Sequence, residues 1–139
     1  MEQLTARFMP SILMALLFAL SGNAVAGVVA IVNKANTSAD KATIGKLYTL
    51  DAKSWPDGVQ AKLYDSSVES EREAFCQAYT GKSASAIKST WAKAVFTGRA
   101  VPPKVLDSDV DVTNEVAKDK NSVGYVDESN VNGSVRVVR

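Results

Sequence analysis

Residues 59–81 read VQAKLYDSSVESEREAFCQAYTG, and this stretch decides the fold. Val59 to Tyr64 predicts a strand. Ser66 and Glu69 stand at the spacing of a capping box. Gly81 lies where a helix of this length needs a left-handed C-terminal residue. The reading is therefore a strand leading into a helix from about Ser67 to Thr80, the unit from which α/β sheets are assembled.

Upstream, Ser54-Trp55-Pro56-Asp57-Gly58 is turn chemistry, because proline fixes φ and glycine accepts positive φ. Val28 to Val32 is an unbroken β-branched and apolar run, as in a strand buried on both faces, and it ends at Asn33. Asn36-Thr37-Ser38 offers an N-cap for a short helix whose Ile44, Leu47 and Tyr48 share one face. Downstream, Ser83 caps a helix carrying an Ile87, Trp91, Val95 stripe, which ends at Phe96-Thr97-Gly98-Arg99. Pro102-Pro103 then enforces an extended connector before Lys104 to Leu106. Ser108 and Asp111 predict a further capped helix through Val112, Val116 and Ala117, and Val123 to Val126 and Val135 to Val138 predict strands separated by an Asn132-Gly133 turn. Strands alternating with helices predict an α/β fold, a mostly parallel sheet with helices on both faces.

The first 26 residues have the three parts of an export signal: a polar start with Arg7, an apolar run from Phe8 to Leu20, and Ala24-Val25-Ala26 before Gly27. The run is shorter than the roughly 20 residues a membrane-spanning helix needs. The expectation is a signal peptide over 1–26, one domain over 27–139, a periplasmic location and no membrane span after cleavage. Loss of Arg7 and Glu2 takes the Lys and Arg count from 16 to 15 and the Asp and Glu count from 15 to 14. No strong field then steers the domain toward nucleic acid.

The chain has no histidine and one cysteine. Ser-His-Asp triads, Cys-His pairs, histidine or thiolate zinc sites and intramolecular disulfides are excluded. No glycine-rich nucleotide loop is present, so no enzyme activity and no cofactor are expected. Cys76, beside Phe75 on a helix, reads as a partly buried inert thiol, with an inter-chain disulfide as the alternative. Asp107, Asp109 and Asp111 alternate as in a calcium loop. Val112 and Lys118 stand where that loop needs glycine and glutamate, so no metal is expected and the acids read as helix N-terminal charges. Glu69 and Glu71 read as solvated charges at a helix start.

In order and spacing, several pieces resemble the phosphate-binding-protein-like family of periplasmic solute-binding proteins of ABC transporters. They are Val28 to Asn33, Ile44-Gly45-Lys46-Leu47-Tyr48, Ser54 to Gly58, Arg72-Glu73-Ala74-Phe75, Trp91 through Phe96-Thr97-Gly98, Pro102-Pro103, and Ser122-Val123-Gly124-Tyr125-Val126. The resemblance runs from Val28 to about Val138 and implies one lobe of a type II periplasmic binding protein, without the second lobe that completes a cleft. It also implies an oxyanion site at a helix N-terminus. The stretch matching the family's Gly-Ser-Gly-Thr turn is Asp65-Ser66-Ser67-Val68-Glu69-Ser70-Glu71-Arg72, which has no glycine and carries carboxylates.

The candidate ligand-binding residues are Thr37, Ser38, Ser66, Ser67, Ser70 and Arg72. Parallel-sheet folds gather helix N-termini at one edge, where backbone N–H groups, hydroxyls and an arginine can meet an anion such as phosphate. The alternative is that these hydroxyls only cap helices. Two functions follow. One is weak binding of phosphate or another small oxyanion for a transporter or sensor. The other is a ligand-free interaction subunit of a cell-envelope complex, whose partner is an envelope protein or a second lobe from another chain.

Overall fold

The computed structural model describes residues 27–139, so the expected signal peptide lies outside the described residues. The apolar run near the start forms β1 (Val28–Asn33), whose four central residues are buried, as a strand with side chains covered on both faces must be. The remaining strands are β2 (Lys62–Ser66), β3 (Lys104–Leu106), β4 (Ser122–Asp127) and β5 (Val135–Val138). They form one sheet in the order β3-β2-β4-β1-β5. β2 pairs in parallel with β3 and β4, while β1 pairs antiparallel with both β4 and β5. Four strands thus run one way and β1 alone runs against them. The sheet is mostly parallel in strand direction, as the alternating pattern predicts.

The reversed strand has two consequences. The Asn132-Gly133 turn does not close a hairpin, because β1 lies between β4 and β5. The loop after β1 also emerges at the edge where β4 begins, since Val28 faces Asp127 and Val32 faces Val123.

Helices α1 (Lys41–Tyr48), α2 (Glu69–Thr80) and α3 (Ala84–Phe96) cover one face, and α4 (Asp109–Lys118) covers the other. Under the first three lies a core containing Ala30, Val32, Ile44, Tyr48, Phe75 and Tyr125. Under α4 lies a second core of Ile31, Tyr64, Val112, Val116, Val126 and Val135. Period-two alternation sends successive residues of β1 and β4 to opposite cores. Two glycines let the layers close. A Cβ on Gly45 would meet the Tyr79 carbonyl oxygen at 2.3 Å, and one on Gly124 would meet Val112 Cγ1 at 2.5 Å.

Several boundaries depart from expectation. α1 is capped by Asp40, whose carboxylate accepts from Thr43 N at 2.7 Å, and not by Asn36-Thr37-Ser38. Asn36 instead folds its own loop, with Oδ1 accepting from the backbone N–H groups of Ser38 and Ala39. β2 starts at Lys62 because the turn after Trp55 consumes Val59 and Gln60: Trp55 N donates to Val59 O, and Ser54 bridges Gln60. α2 starts at Glu69 with Val68 as its N-cap, so Ser66 and Glu69 do not form a capping box. On α3 the buried residues are Ala84, Ile87 and Ala94, Trp91 packs half-buried against the same core, and Val95 is exposed. The buried line follows steps of three and four rather than the uniform fours of the predicted stripe, as a 3.6-residue turn requires.

Candidate functional site

The C-terminal ends of β2 and β4 and the N-termini of α2 and α4 meet at one edge of the sheet. Asp65 and Tyr125 sit on neighbouring strands and project toward the α2 side. The Tyr125 hydroxyl donates to Asp65 Oδ1 and accepts from Ser66 N at 3.0 Å. Arg72, one turn into α2, reaches back with Nε 3.3 Å from Asp65 Oδ1 and Nη2 2.9 Å from Ser66 O. Its Nη1 lies 3.4 Å from Glu69 Oε1. All three nitrogens of the fork are therefore held by the protein. Burial first, then the nearby Asp65 charge, pushes the Tyr125 hydroxyl far above its ordinary pKa, so it stays a neutral donor.

Ser66 ties the turn together. Its Oγ accepts from Val68 N at 3.0 Å and donates to Glu71 Oε2 at 3.2 Å. Ser67 N is used by Leu106 O, which joins the turn to β3. The helix itself has no side-chain cap. Its first intrahelical donor is Arg72 N to Val68 O, so the preceding N–H groups of the first turn face outward beside the exposed Ser67 and Ser70. By contrast Asp40, Ser83 and Ser108 each cap their helices with a side-chain oxygen.

Carboxylates crowd the same edge. Asp109, the first residue of α4, accepts from Asp127 N at 3.1 Å and Asn130 Nδ2 at 2.7 Å. Burial, then the closeness of Asp109, raises the Glu71 carboxyl from its ordinary 4.5 to about 7 against the opposing help of Ser66.

Of the residues proposed from sequence, Ser66, Ser67, Ser70 and Arg72 share this edge. Thr37 and Ser38 do not. They follow β1, which runs against β4, and so lie at the opposite edge, where Ser38 Oγ bonds Asn36 Oδ1 at 3.2 Å. The expectation that parallel strands gather both helix starts fails because the strand before Thr37 is the reversed one. Asp65, Glu71 and Tyr125 complete the edge and were not proposed. Asp65 directly precedes Ser66 in the sequence, and Tyr125 stands beside Gly124 in an apolar strand.

Beside Asp65 and Arg72, between α2, α3 and the proline connector, is an apolar cleft of about 220 Å³ walled by Phe75, Ile87, Trp91 and Pro103. Cys76 opens onto it. Burial first, then the charges of Asp65 and Glu73, raises that thiol to about 11, which keeps it protonated and unreactive at neutral pH. Among the described residues no group of three or more acids, cysteines or histidines is arranged to hold a metal ion.

No protein-family profile matches the chain, and no curated protein matches it. Solved structures do. A candidate phosphate ABC transporter substrate-binding protein of Clostridium perfringens, with bound phosphate, superposes with a TM-score of 0.61 at 19% identity over 81% of this chain and 44% of that one. A candidate phosphate-binding protein of Planctomyces limnophilus gives 0.58 at 16% identity over 83% and 42%. An ABC-type phosphate transport receptor of Vibrio cholerae gives 0.53 at 14% identity over 81% and 45%. At these identities the likeness is one of fold, and the chain spans less than half of the length of each neighbour.

Proposed function

We propose that this protein is a periplasmic solute-binding-like lobe that holds phosphate or another small oxyanion at the start of α2 for an ABC transporter or a sensor. The supporting observation is the uncapped N-terminus of α2, with the hydroxyls of Ser67 and Ser70 exposed beside outward N–H groups. Unsatisfied N–H donors and the positive end of the helix dipole favour an anion there. Arg72 serves this site by position: its bonds to Asp65 and Ser66 O hold the turn, and it adds a positive charge near the anion without leaving its partners.

Glu69 and Glu71 oppose binding. Each carboxylate about 6 Å from a bound anion costs a few tenths to ~1 kcal/mol at a solvent-exposed site, so affinity is roughly millimolar rather than absent. The deciding experiment is phosphate titration by calorimetry at low salt, with chloride as control. Ser67→Ala with Ser70→Ala should abolish the heat, and Glu69→Gln with Glu71→Gln should strengthen it. Titrations without heat in the wild type and the Gln pair would refute oxyanion binding. The second reading, a ligand-free envelope interaction subunit, would then stand; it is favoured by the complete engagement of the Arg72 fork within the protein. Residues 1–26 are proposed to be the export signal, which intact-mass measurement on protein recovered from the periplasm tests: a chain starting at Gly27 is expected.

A further inference from the structure

The edge of the sheet opposite the candidate anion site has the reverse electrostatic character. Lys62 opens β2 beside Ser122, where β4 opens, at the end of the sheet remote from Ser66, and Lys104 opens the edge strand β3 level with Tyr64, midway along β2. Two clefts of about 490 and 620 Å³ adjoin there and share Leu50, Lys53, Arg99 and Ala100 as a common wall. Lys53, Lys62, Lys93, Arg99 and Lys104 line them, and no aspartate or glutamate does. Among the described residues, ion pairs engage Arg72, Lys118 and Arg139 but none of these five cations. Lys53 donates to Arg99 O at 2.6 Å, and Lys62 lies over the Tyr64 ring, so two of the charges are held in place rather than neutralised. Acids stand outside the lining: Asp119 and Glu115 act on Lys62, and Asp51, between the lining residues Leu50 and Ala52, accepts from the Thr49 hydroxyl.

The floor between the cations is apolar, formed by Leu47, Leu63 and Trp91. Val101, which lines the larger cleft, is 86% exposed. An apolar floor set among cations that make no ion pair marks a surface that meets something both anionic and apolar. The surface is concave, so a flat bilayer cannot reach its floor, whereas an extended peptide can.

We propose that this basic, apolar-floored groove docks an acidic segment of a partner protein, with carboxylates on Lys53, Arg99 and Lys104 and an aliphatic or aromatic side chain against Leu63 and Trp91. This does not depend on the oxyanion reading, since no residue from Ser66 to Arg72 lines the groove. The opposite edge carries Glu69, Glu71, Asp107, Asp109, Asp111 and Asp127, so a second copy of this chain is the competing occupant.

The test is fluorescence anisotropy with a short labelled peptide alternating glutamate with leucine and phenylalanine, added to the full protein at low and at high salt. The wild type should bind at low salt and weaken as salt rises. Arg99→Glu with Lys104→Glu should lower affinity about tenfold or more. Val101→Ala should lower it roughly threefold, as expected for an exposed apolar contact at the groove. Arg99→Gln with Lys104→Gln, at exposed positions, should keep the melting temperature and still weaken binding, which separates lost docking from lost fold. Four results would overturn the proposal: equal binding by wild type and the Glu pair, equal binding of a lysine-for-glutamate control peptide, binding to phosphatidylglycerol vesicles but not to the peptide, or self-association in sedimentation that the peptide does not displace.

Discussion

The two faces of the sheet are built from different materials. The face under α1, α2 and α3 is aromatic: the Phe75 ring stacks on Tyr125 at 4.1 Å between centroids, meets Tyr48 edge-on at 4.7 Å, and stacks on Tyr79 at 4.8 Å. Nearly every polar tip there is spent on the backbone. Tyr48 donates to Tyr64 O, Tyr79 to Val138 O, Trp55 to Asn121 O and Trp91 to Tyr48 O. The face under α4 is mainly aliphatic, with Val112, Val116, Val126 and Val135 filling space. The difference teaches that one face ties distant strands and loops together by directed bonds from its aromatic tips, while the other relies mainly on packing and takes its directed bonds at the ends of α4, where Asn33 Nδ2 donates to Val116 O and Ala117 O and Asp127 N donates to Asp109. The candidate anion edge hangs from the aromatic face through Tyr125 and Asp65.

That contrast can be broken most severely at its centre. Phe75→Ala removes the ring on which Tyr48, Tyr79 and Tyr125 all pack and should cost ~3–5 kcal/mol, measured by urea unfolding. Gly45→Ala drives a methyl into the backbone of α2, where no side chain can yield, and should cost about 3 kcal/mol. On the aliphatic face, Gly124→Ala meets a side-chain methyl of Val112 that can shift, and a cost of about 1–2 kcal/mol is expected. A larger loss at Gly124 than at Gly45 would reverse the order drawn between a rigid and a yielding contact.

Smaller effects sharpen the link from the aromatic face to the edge. Tyr125→Phe keeps the stack and removes only the hydroxyl, which donates to Asp65 and accepts from Ser66 N, so it should cost about 1–2 kcal/mol. A neutral result by the same unfolding assay would mean that the hydroxyl does not tether the turn. Glu71→Gln gives the smallest change and the most specific signature. With its carboxyl raised to about 7 from 4.5, the folded protein binds more protons than the unfolded chain between those values, so stability falls as pH rises through that window. Glu71 is only partly buried, and solvent screening limits the loss to on the order of 0.5–1 kcal/mol. The Gln variant should flatten the melting-temperature profile over that range, and an unchanged slope would assign it to other groups.

Local chemistry written in consecutive residues is legible in the sequence. Ser83 and Ser108 cap their helices, Gly81 takes a left-handed φ of 71°, the Val28 to Val32 run forms a strand with a buried centre, and Ile44, Leu47 and Tyr48 face the core. Each depends on neighbours within about one turn, where φ preference, capping geometry and periodicity act. The Ser66-to-Arg72 turn is legible for the same reason. The α2 start is displaced by two residues because Ser66 Oγ satisfies Val68 N instead of a helical amide, a choice fixed by Glu71 and Leu106 around it.

What the sequence alone determined is thus the set of elements, their approximate limits and the α/β class. Strand order and direction were decided only by the tertiary structure, because hydrogen-bonded pairing joins residues far apart in the chain and no local pattern says which strand a given strand will meet. The antiparallel insertion of β1 between β4 and β5 moved Thr37 and Ser38 away from the candidate site, and the parallel pairing of β2 with β4 brought Tyr125 onto Asp65. Five cations scattered from Lys53 to Lys104 look like ordinary surface charges in the sequence; the packing of α3 and the proline connector against the start of the sheet is what gathers them around one apolar floor.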